Sequence, residues 1–223
     1  MIALIDYHAG NLTSVRKALA AIGADVVVPS RPEDLAQAQG VIVPGVGHFG
    51  ATKALEGAWT EAIVERVGEG RPLLGICLGM QWLFEGSDEA PEVRGLGVLA
   101  GRCYRLGTVR LKPDTTHEKE GSCTGRRSVR LQPDAVKVPH VGWNSLAIDR
   151  EQSIVDGVAS GAQVYFTHSY VVPVTSDTVA STEHGERFAA VVQHGQIAGV
   201  QFHPEKSGDI GLRILRNFLQ LAG

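Results

Sequence analysis

The chain has 223 residues, 43% of them hydrophobic and 20% charged, with a formal net charge of −3. That is enough apolar material to bury a core without staples, in one large α/β domain or two small ones. Without a face-sized basic cluster, the composition gives nucleic-acid binding no electrostatic support. No apolar run approaches the roughly 20 residues of a membrane helix, and the interrupted apolar start is too short for a signal peptide.

Residues 2–6 read as a strand. Asn11 is a candidate N-cap for a helix over 12–22 that stops at Gly23. Residues 25–28 and 40–43 read as the second and third strands. Helical periodicity covers 50–68, with Ala54, Leu55, Ala58, Ile63 and Val67 among charges. Residues 72–77 form a continuous apolar strand that leads straight into a helical pattern over 78–85. This alternation argues for a parallel sheet covered by helices on both faces. The second half is richer in strands, at about 97–106, 137–142, 163–168, 178–183, 188–193 and 197–203. An amphipathic helix follows over 208–221, with Leu212, Leu215, Phe218 and Leu219 on one stripe. The expected architecture is one α/β domain, without a linker.

Residues 107–136 break the pattern. They are polar and contain a repeat: Thr108-Val-Arg-Leu-Lys-Pro-Asp114 recurs as Ser128-Val-Arg-Leu-Gln-Pro-Asp134. A single repeated pair is too little for a solenoid, which needs at least about three units. The segment reads as an exposed duplicated insertion; an added partner contact through Arg126, Arg127 and Arg130 is the other reading.

Three motifs carry chemistry. In Leu74-Gly75-Ile76-Cys77-Leu78-Gly79-Met80-Gln81 a nucleophile stands between a strand and a helix, with a glycine two residues to either side. Such a turn projects the sulfur above the sheet edge, and the helix start favours thiolate. A free cysteine can equally be a small buried hydrophobe. In Gln201-Phe202-His203-Pro204-Glu205-Lys206-Ser207 a histidine can take the thiol proton, and a carboxylate two residues on can fix its tautomer. If the segment is extended, both side chains point the same way. Alone, the pair reads equally as a capping histidine and a solvated glutamate. The third motif is Pro44-Gly45-Val46-Gly47-His48-Phe49-Gly50. Its exposed N–H groups suit an oxyanion, although a plain turn is equally open and a phosphate loop would lack its lysine.

Together these motifs resemble the class I, triad-type glutamine amidotransferases. Within them the match is to the glutamine amidotransferase subunits of imidazole glycerol phosphate synthase. The similar segments are Asp6-Tyr7-His8-Ala9-Gly10-Asn11-Leu12, residues 44–50 and 75–81, Val138-Pro139-His140-Val141-Gly142-Trp143-Asn144, Tyr165-Phe166-Thr167-His168-Ser169-Tyr170 and residues 202–207. They span nearly the whole chain apart from the insertion. The fold implied is flavodoxin-like: a mixed, largely parallel sheet flanked by helices, with extra strands in the second half.

The resemblance also implies roles. Cys77 would attack the glutamine amide, His203 would act as base and then acid, and Glu205 would orient it. N–H groups of Val46, Gly47 and Leu78 would form the oxyanion hole. Gly45, Gln81, Glu89, His168, Ser169 and Tyr170 would hold glutamine. Asn11, Trp143, Asn144, Tyr165 and Lys206 would face a (β/α)8-barrel cyclase subunit, which would receive the ammonia and bind the phosphorylated ribonucleotide. No cofactor is implied. Read from the residues alone, Trp143 suits either core packing or an exposed anchor.

The departures are specific. His8 stands where that family usually has glycine, and residues 107–136 lengthen a usually short connection. Three widely spaced cysteines form neither a disulfide framework nor a metal pattern; Cys103 and Cys123 read as incidental, and a reducing cytoplasm is the expected location. His117, His184 and His194 lack metal-ligand spacing, so no metal is expected. The rival readings are a subunit of another synthase, a free-standing cysteine hydrolase and a scaffold protein with a degenerate site. The PHVGWN and THSY segments, Gln81 and the complete triad argue against them in turn.

Overall fold

A computed structural model describes residues 1–107 and 136–223. The repeat and Cys123 therefore lie outside the described residues, as does nearly all of the predicted insertion. Five apolar strands build the parallel part of the sheet: β1 (Ile2–Leu4), β2 (Val26–Val27), β3 (Gly40–Val43), β4 (Leu73–Ile76) and, much later in the chain, β14 (Ile197–Val200). Four of them alternate between two cores. Ile2, Leu4, Ile42, Leu74, Ile76, Ala198 and Val200 join one cluster. Ala3, Val41, Val43, Leu73 and Ile197 join the other. A strand buried on both faces reads as a continuous apolar run, which is why these strands are legible in sequence.

Helix α1 (Leu12–Ala21) and helix α4 (Gly208–Leu221) close the first face through Val15, Leu19, Ile214, Leu215 and Phe218. Helix α2 (Ala58–Gly68) and the short helix α3 (Leu78–Trp82) close the second through Ile63, Leu78, Met80 and Trp82. Asn11 caps α1 as expected, its side chain accepting from the Ser14 N–H at 3.2 Å. Burying one apolar side chain of this size contributes about 1.5–3 kcal/mol.

The remaining strands are β5 (Gly86–Ser87), β6 (Ala90–Arg94), β7 (Tyr104–Arg105), β8 (His140–Ser145), β9 (Ala147–Ile148), β10 (Gln163–His168), β11 (Tyr170–Val171), β12 (Thr178–His184) and β13 (Glu186–His194). The central sheet runs β2-β1-β3-β4-β14-β13-β12-β9. It is parallel from β2 to β14 and antiparallel beyond. Strands β8 and β10 form a separate antiparallel ribbon.

Several boundaries differ from the sequence reading. The helix expected over 50–68 is split: 49–55 is a 3-10 helix, and Gly57 at φ 71° breaks the run before α2. The strand expected over 97–106 shrinks to β7, and the helix expected to reach residue 85 ends at Trp82. One cause serves both. The N–H groups of Leu96, Gly97, Val98 and Leu99 donate to carbonyls of Trp82, Leu83 and Phe84. They satisfy the open end of α3 instead of pairing with a strand. Strand β8 starts at His140 rather than 137, after the cis Val138–Pro139 peptide.

Val136 lies beside Gly107. A Cβ placed on Gly107 would lie 3.7 Å from the Cβ of Val136. The Gly107 N–H is held by Glu186 Oε1 at 3.1 Å.

Candidate active site

Register brings the three motifs together. Val43 pairs with Gly75 across β3 and β4, and Ile76 pairs with Val200 across β4 and β14. The chain therefore leaves three adjacent parallel strands at the same sheet edge as the 44–50 loop, Cys77 and the Gln201–His203 run. Open α/β sheets place their sites outside this carboxyl edge.

Cys77 sits in a left-handed conformation, φ 53° and ψ −106°. Such backbone costs a non-glycine residue of order 1–3 kcal/mol and needs surroundings that enforce it. They are visible. A Cβ on Gly79 would come within 1.8 Å of the Val43 carbonyl, and one on Gly75 within 2.5 Å of the Gly79 carbonyl. The glycines thus allow the close backbone approach that the tight turn requires. The Cys77 N–H donates to Val200 at 2.7 Å, locking the turn to β14.

His203 is fixed from several sides. Its N–H donates to the Tyr165 carbonyl at 2.9 Å, and its own carbonyl accepts from Ser207 Oγ at 2.6 Å. Nδ1 meets Glu205 Oε1 at 2.9 Å, with both side chains 2% exposed. The expected extended geometry is corrected here: Pro204–Lys206 is a 3-10 turn, and the turn itself swings Glu205 back onto the imidazole. Nε2 of His203 is buried and makes no hydrogen bond of normal geometry among the described residues. Burial disfavours the imidazolium, but Cys77 and Glu205 outweigh it and hold His203 at about 9, above the usual 6.5. A thiol beside an imidazole anchored by a carboxylate is competent for acyl transfer.

A cleft of about 220 Å³ opens over Cys77. It is lined by Gly47, Cys77, Leu78, Gln81, Glu89, His168, Ser169 and Tyr170, all expected from sequence, and by Pro139 and Thr167, which were not. A larger cleft of about 790 Å³ lies between residues 148–158 and α4 and holds none of the expected site residues. Glu89 Oε2 accepts the Phe49 N–H at 2.7 Å. Gln81 Nε2 donates to the Tyr170 carbonyl at 3.0 Å and to Gln201 Oε1 at 3.1 Å.

Two of the N–H groups expected from sequence as oxyanion donors are occupied in this conformation. The Leu78 N–H donates to the Gly45 carbonyl at 3.3 Å, and the Val46 N–H donates to the Ala9 carbonyl at 3.2 Å. Both bonds use the two ends of one peptide, Gly45–Val46. The sequence left the resting orientation of this peptide open; here its carbonyl is turned toward Leu78 and its N–H toward Ala9.

Two residues near the sulfur were missed. Gln201, fully buried, brings Nε2 to 3.7 Å from Cys77 Sγ. Its position just ahead of the His203 motif was the available signal. The buried Tyr7 hydroxyl has no hydrogen-bond partner among the described residues. It lies 2.0 Å from where a Gly45 Cβ would stand. Burial, and then Cys77, push its ionisation well above the ordinary tyrosine value. Cys103 also has a partner: its thiol donates to the Gln81 carbonyl at 3.5 Å, and burial pushes its ionisation far up.

The residues expected to face a partner sit on the β8–β10 ribbon and nearby. Trp143 is 57% exposed, which removes the core-packing alternative. It packs edge-on to Tyr165, with centroids 6.1 Å apart, and Lys206 Nζ lies 5.7 Å from the Tyr165 ring centroid. Asn144 is tied inward, to His140 and to the Glu183 carbonyl. Asn11 is exposed, although its side chain is already used in capping α1. His8 has φ 62°, a left-handed conformation that glycine adopts more easily. Among the described residues no group of three or more His, Cys, Asp or Glu side chains is arranged to hold a metal ion. No described helix is long and apolar enough to cross a membrane.

Comparison with known proteins agrees with this geometry. The family pattern "Glutamine amidotransferase class-I" matches residues 3–221. The imidazole glycerol phosphate synthase subunit HisH of Halobacterium salinarum is 42% identical, over 98% of this chain and 92% of its own length. The HisH subunit of Shouchella clausii is 43% identical over 99% and 98%. That of Methanothermobacter thermautotrophicus is 38% identical, over the same shares. Among solved structures, a glutamine amidotransferase superimposes with a TM-score of 0.70 at 23% identity, covering all of both chains. PurLQS from Thermotoga maritima does so at 0.69 and 16%, over 98% of this chain and 97% of its own; at these identities the likeness speaks for the fold. The chain belongs to the class I glutamine amidotransferases, in the branch of glutaminase-type HisH subunits.

Proposed function

We propose that the chain hydrolyses L-glutamine to glutamate and ammonia at Cys77 and delivers the ammonia to a (β/α)8-barrel cyclase subunit of imidazole glycerol phosphate synthase. The carrying observation is that three adjacent strand ends bring Cys77, the His203–Glu205 pair and the glycine loop to one sheet edge, where a small cleft lined by Cys77 and Gly47 opens. In this reading the Cys77 proton already rests on His203, and the Cys77 thiolate attacks the side-chain carboxamide carbon. His203 returns the proton to the departing nitrogen, ammonia leaves, and a γ-glutamyl thioester remains. Water, deprotonated by His203, then attacks the thioester; glutamate leaves and the thiol is restored.

Glu205 holds the imidazole so that Nε2 faces the sulfur. Gly45, Gly47, Gln81, Glu89, His168, Ser169 and Tyr170 form the glutamine pocket. The oxyanion hole assembles when the Gly45–Val46 peptide turns over. One rotation releases the Leu78 N–H from the Gly45 carbonyl and swings the Val46 N–H of the same peptide away from the Ala9 carbonyl toward the same point. Glycine at residue 45 and at residue 47 (φ 102°) suits such a turn. A glutaminase held off in this way does not waste glutamine before its partner is ready.

The exposed Trp143, with Tyr165, Lys206 and Asn11, forms the docking face for the barrel; Asn144, expected there too, is turned to the inner side of the ribbon. Aromatic anchors of this kind carry most of the energy in protein interfaces. A cytoplasmic location fits the free thiols Cys77 and Cys103.

The test is glutamate release by the purified chain, alone and with the barrel subunit and its ribonucleotide ligand. Strong activation only in the full mixture is the expected outcome. Activity indifferent to the barrel would keep the glutaminase and remove the partner. No activity under either condition would remove both.

A further inference from the structure

The β8–β10 ribbon has two faces. Along β8, Val141, Trp143 and Ser145 point outward, while His140, Gly142 and Asn144 point inward. His140 pairs with His168 across the ribbon. The inward face holds three buried rings and meets one half-buried one: His140 stacks between the buried Phe166 (4.8 Å) and the half-buried His184 (4.2 Å), and His168 stands edge-on to it at 5.0 Å.

The polar atoms of this cluster admit one arrangement of hydrogens. His168 Nδ1 lies 3.1 Å from the Tyr170 carbonyl, which can only accept, so Nδ1 carries the proton. His168 Nε2 is then an acceptor, and His140 Nδ1 at 3.1 Å must donate to it. His140 Nε2 is bare in turn and receives Asn144 Nδ2 at 3.3 Å. The Asn144 amide is oriented by its other bonds: Oδ1 accepts the Ser145 N–H at 2.8 Å, and Nδ2 also donates to the Glu183 carbonyl at 2.9 Å. Every donor in the chain points one way, from Asn144 toward Tyr170.

The Tyr170 carbonyl is the junction with the site. It also receives Gln81 Nε2, which donates as well to Gln201 Oε1, and Gln201 Nε2 reaches the Cys77 sulfur. A proton added to either imidazole would set two donors face to face, N–H against N–H. The cluster is built for neutral rings, and burial holds His140 down at about 4 and His168 at about 3.

We propose that His140 and Asn144 are positioning residues for the glutamine cleft: by the one-way chain Asn144, His140, His168, Tyr170 carbonyl, they fix the His168 tautomer and the 169–170 wall that faces Cys77. This rests on the glutaminase reading for the identity of the ligand, but the hydrogen arrangement stands independently of it. Neither residue touches glutamine in this scheme; both act through His168.

The test uses the full chain with Cys77→Ala, so that glutamine binds without turning over. Nitrogen-15 NMR of the imidazole rings at pH 7 should show both His140 and His168 as neutral Nδ1–H tautomers. An Nε2–H tautomer or an imidazolium at either position overturns the proposal, whatever the activity of the enzyme. By calorimetry, His140→Leu should weaken glutamine binding about tenfold, the cost of one buried hydrogen bond left unmade. It should also release the His168 tautomer. His140→Gln, which can still donate to His168, should restore most of the affinity. Equal damage from Leu and Gln, or none from either, would sink the idea. Should the leucine variant not fold, the NMR result on the parent decides. If the parent shows the tautomers but binds no glutamine, the glutaminase reading fails and the relay survives.

Discussion

His203 and the His140–His168 pair are buried to nearly the same degree, at 2%, 4% and 7% exposure, yet their protonation is driven in opposite directions. Burial opposes charge at all three. At His203 the far side of the ring meets a carboxylate and the near side a thiol, and the balance turns toward the imidazolium. At His140 and His168 the neighbours are a carbonyl, an amide and each other. The Tyr170 carbonyl favours charge at His168 but does not outweigh desolvation, and both rings are pushed toward the neutral form. Partner charge, rather than depth, decides which way each buried histidine shifts.

The largest effect should come from the charged site. Cys77→Ala should lower glutamine-dependent turnover by more than about 10⁴-fold and leave ammonia-driven synthesis by the partner intact. Surviving glutamine turnover would mean that the nucleophile is misassigned. Glu205→Gln gives His203 the kind of neutral surroundings that His168 has. It should cut kcat by about 10³–10⁴-fold and move the His203 titration downward, both readable by steady-state assay and NMR. An unmoved titration would show that Glu205 does not supply the charge.

The two sites should also bound stability from opposite sides. The raised His203 value contributes stability that is complete below about pH 6.5 and lost as pH climbs through about 9. The lowered His140 and His168 values act the other way. The unfolded chain takes up protons below about 6.5 that the folded ring pair accepts only near 4 and 3, so stability declines through that acid range. Urea midpoints across pH 4–10 would display both limbs, and Cys77→Ala should draw the alkaline limb to lower pH. A profile that does not respond to Cys77→Ala would break the link between sulfur and imidazole. The smallest effect belongs to His184→Phe. The stacking on His140 is kept and a nearby positive charge is removed, so the His140 midpoint should rise slightly. A fall would mean that burial by the larger ring outweighs the lost charge.

Much of this was written locally. The parallel strands are legible because both of their faces are buried, which leaves continuous apolar runs; α4 is legible because one stripe is. The elbow around Cys77 is legible because Gly75 and Gly79 are needed where backbone meets backbone. The sequence alone also determined the family, since its motifs are sites where few residue types satisfy the geometry. What it could not determine came from register and turning. Only the pairing of β3, β4 and β14 puts three distant motifs at one edge. Only a 3-10 turn brings Glu205 onto His203, where an extended strand had been expected. The boundaries at 57, 82 and 97–106 were decided by a left-handed glycine and by carbonyls of α3 that took N–H groups from a later segment. Most of all, the sequence offers no distinction between His203 and His140 beyond their neighbours along the chain. Their opposite shifts depend on which groups the fold sets beside each ring, and that is a property of three-dimensional packing alone.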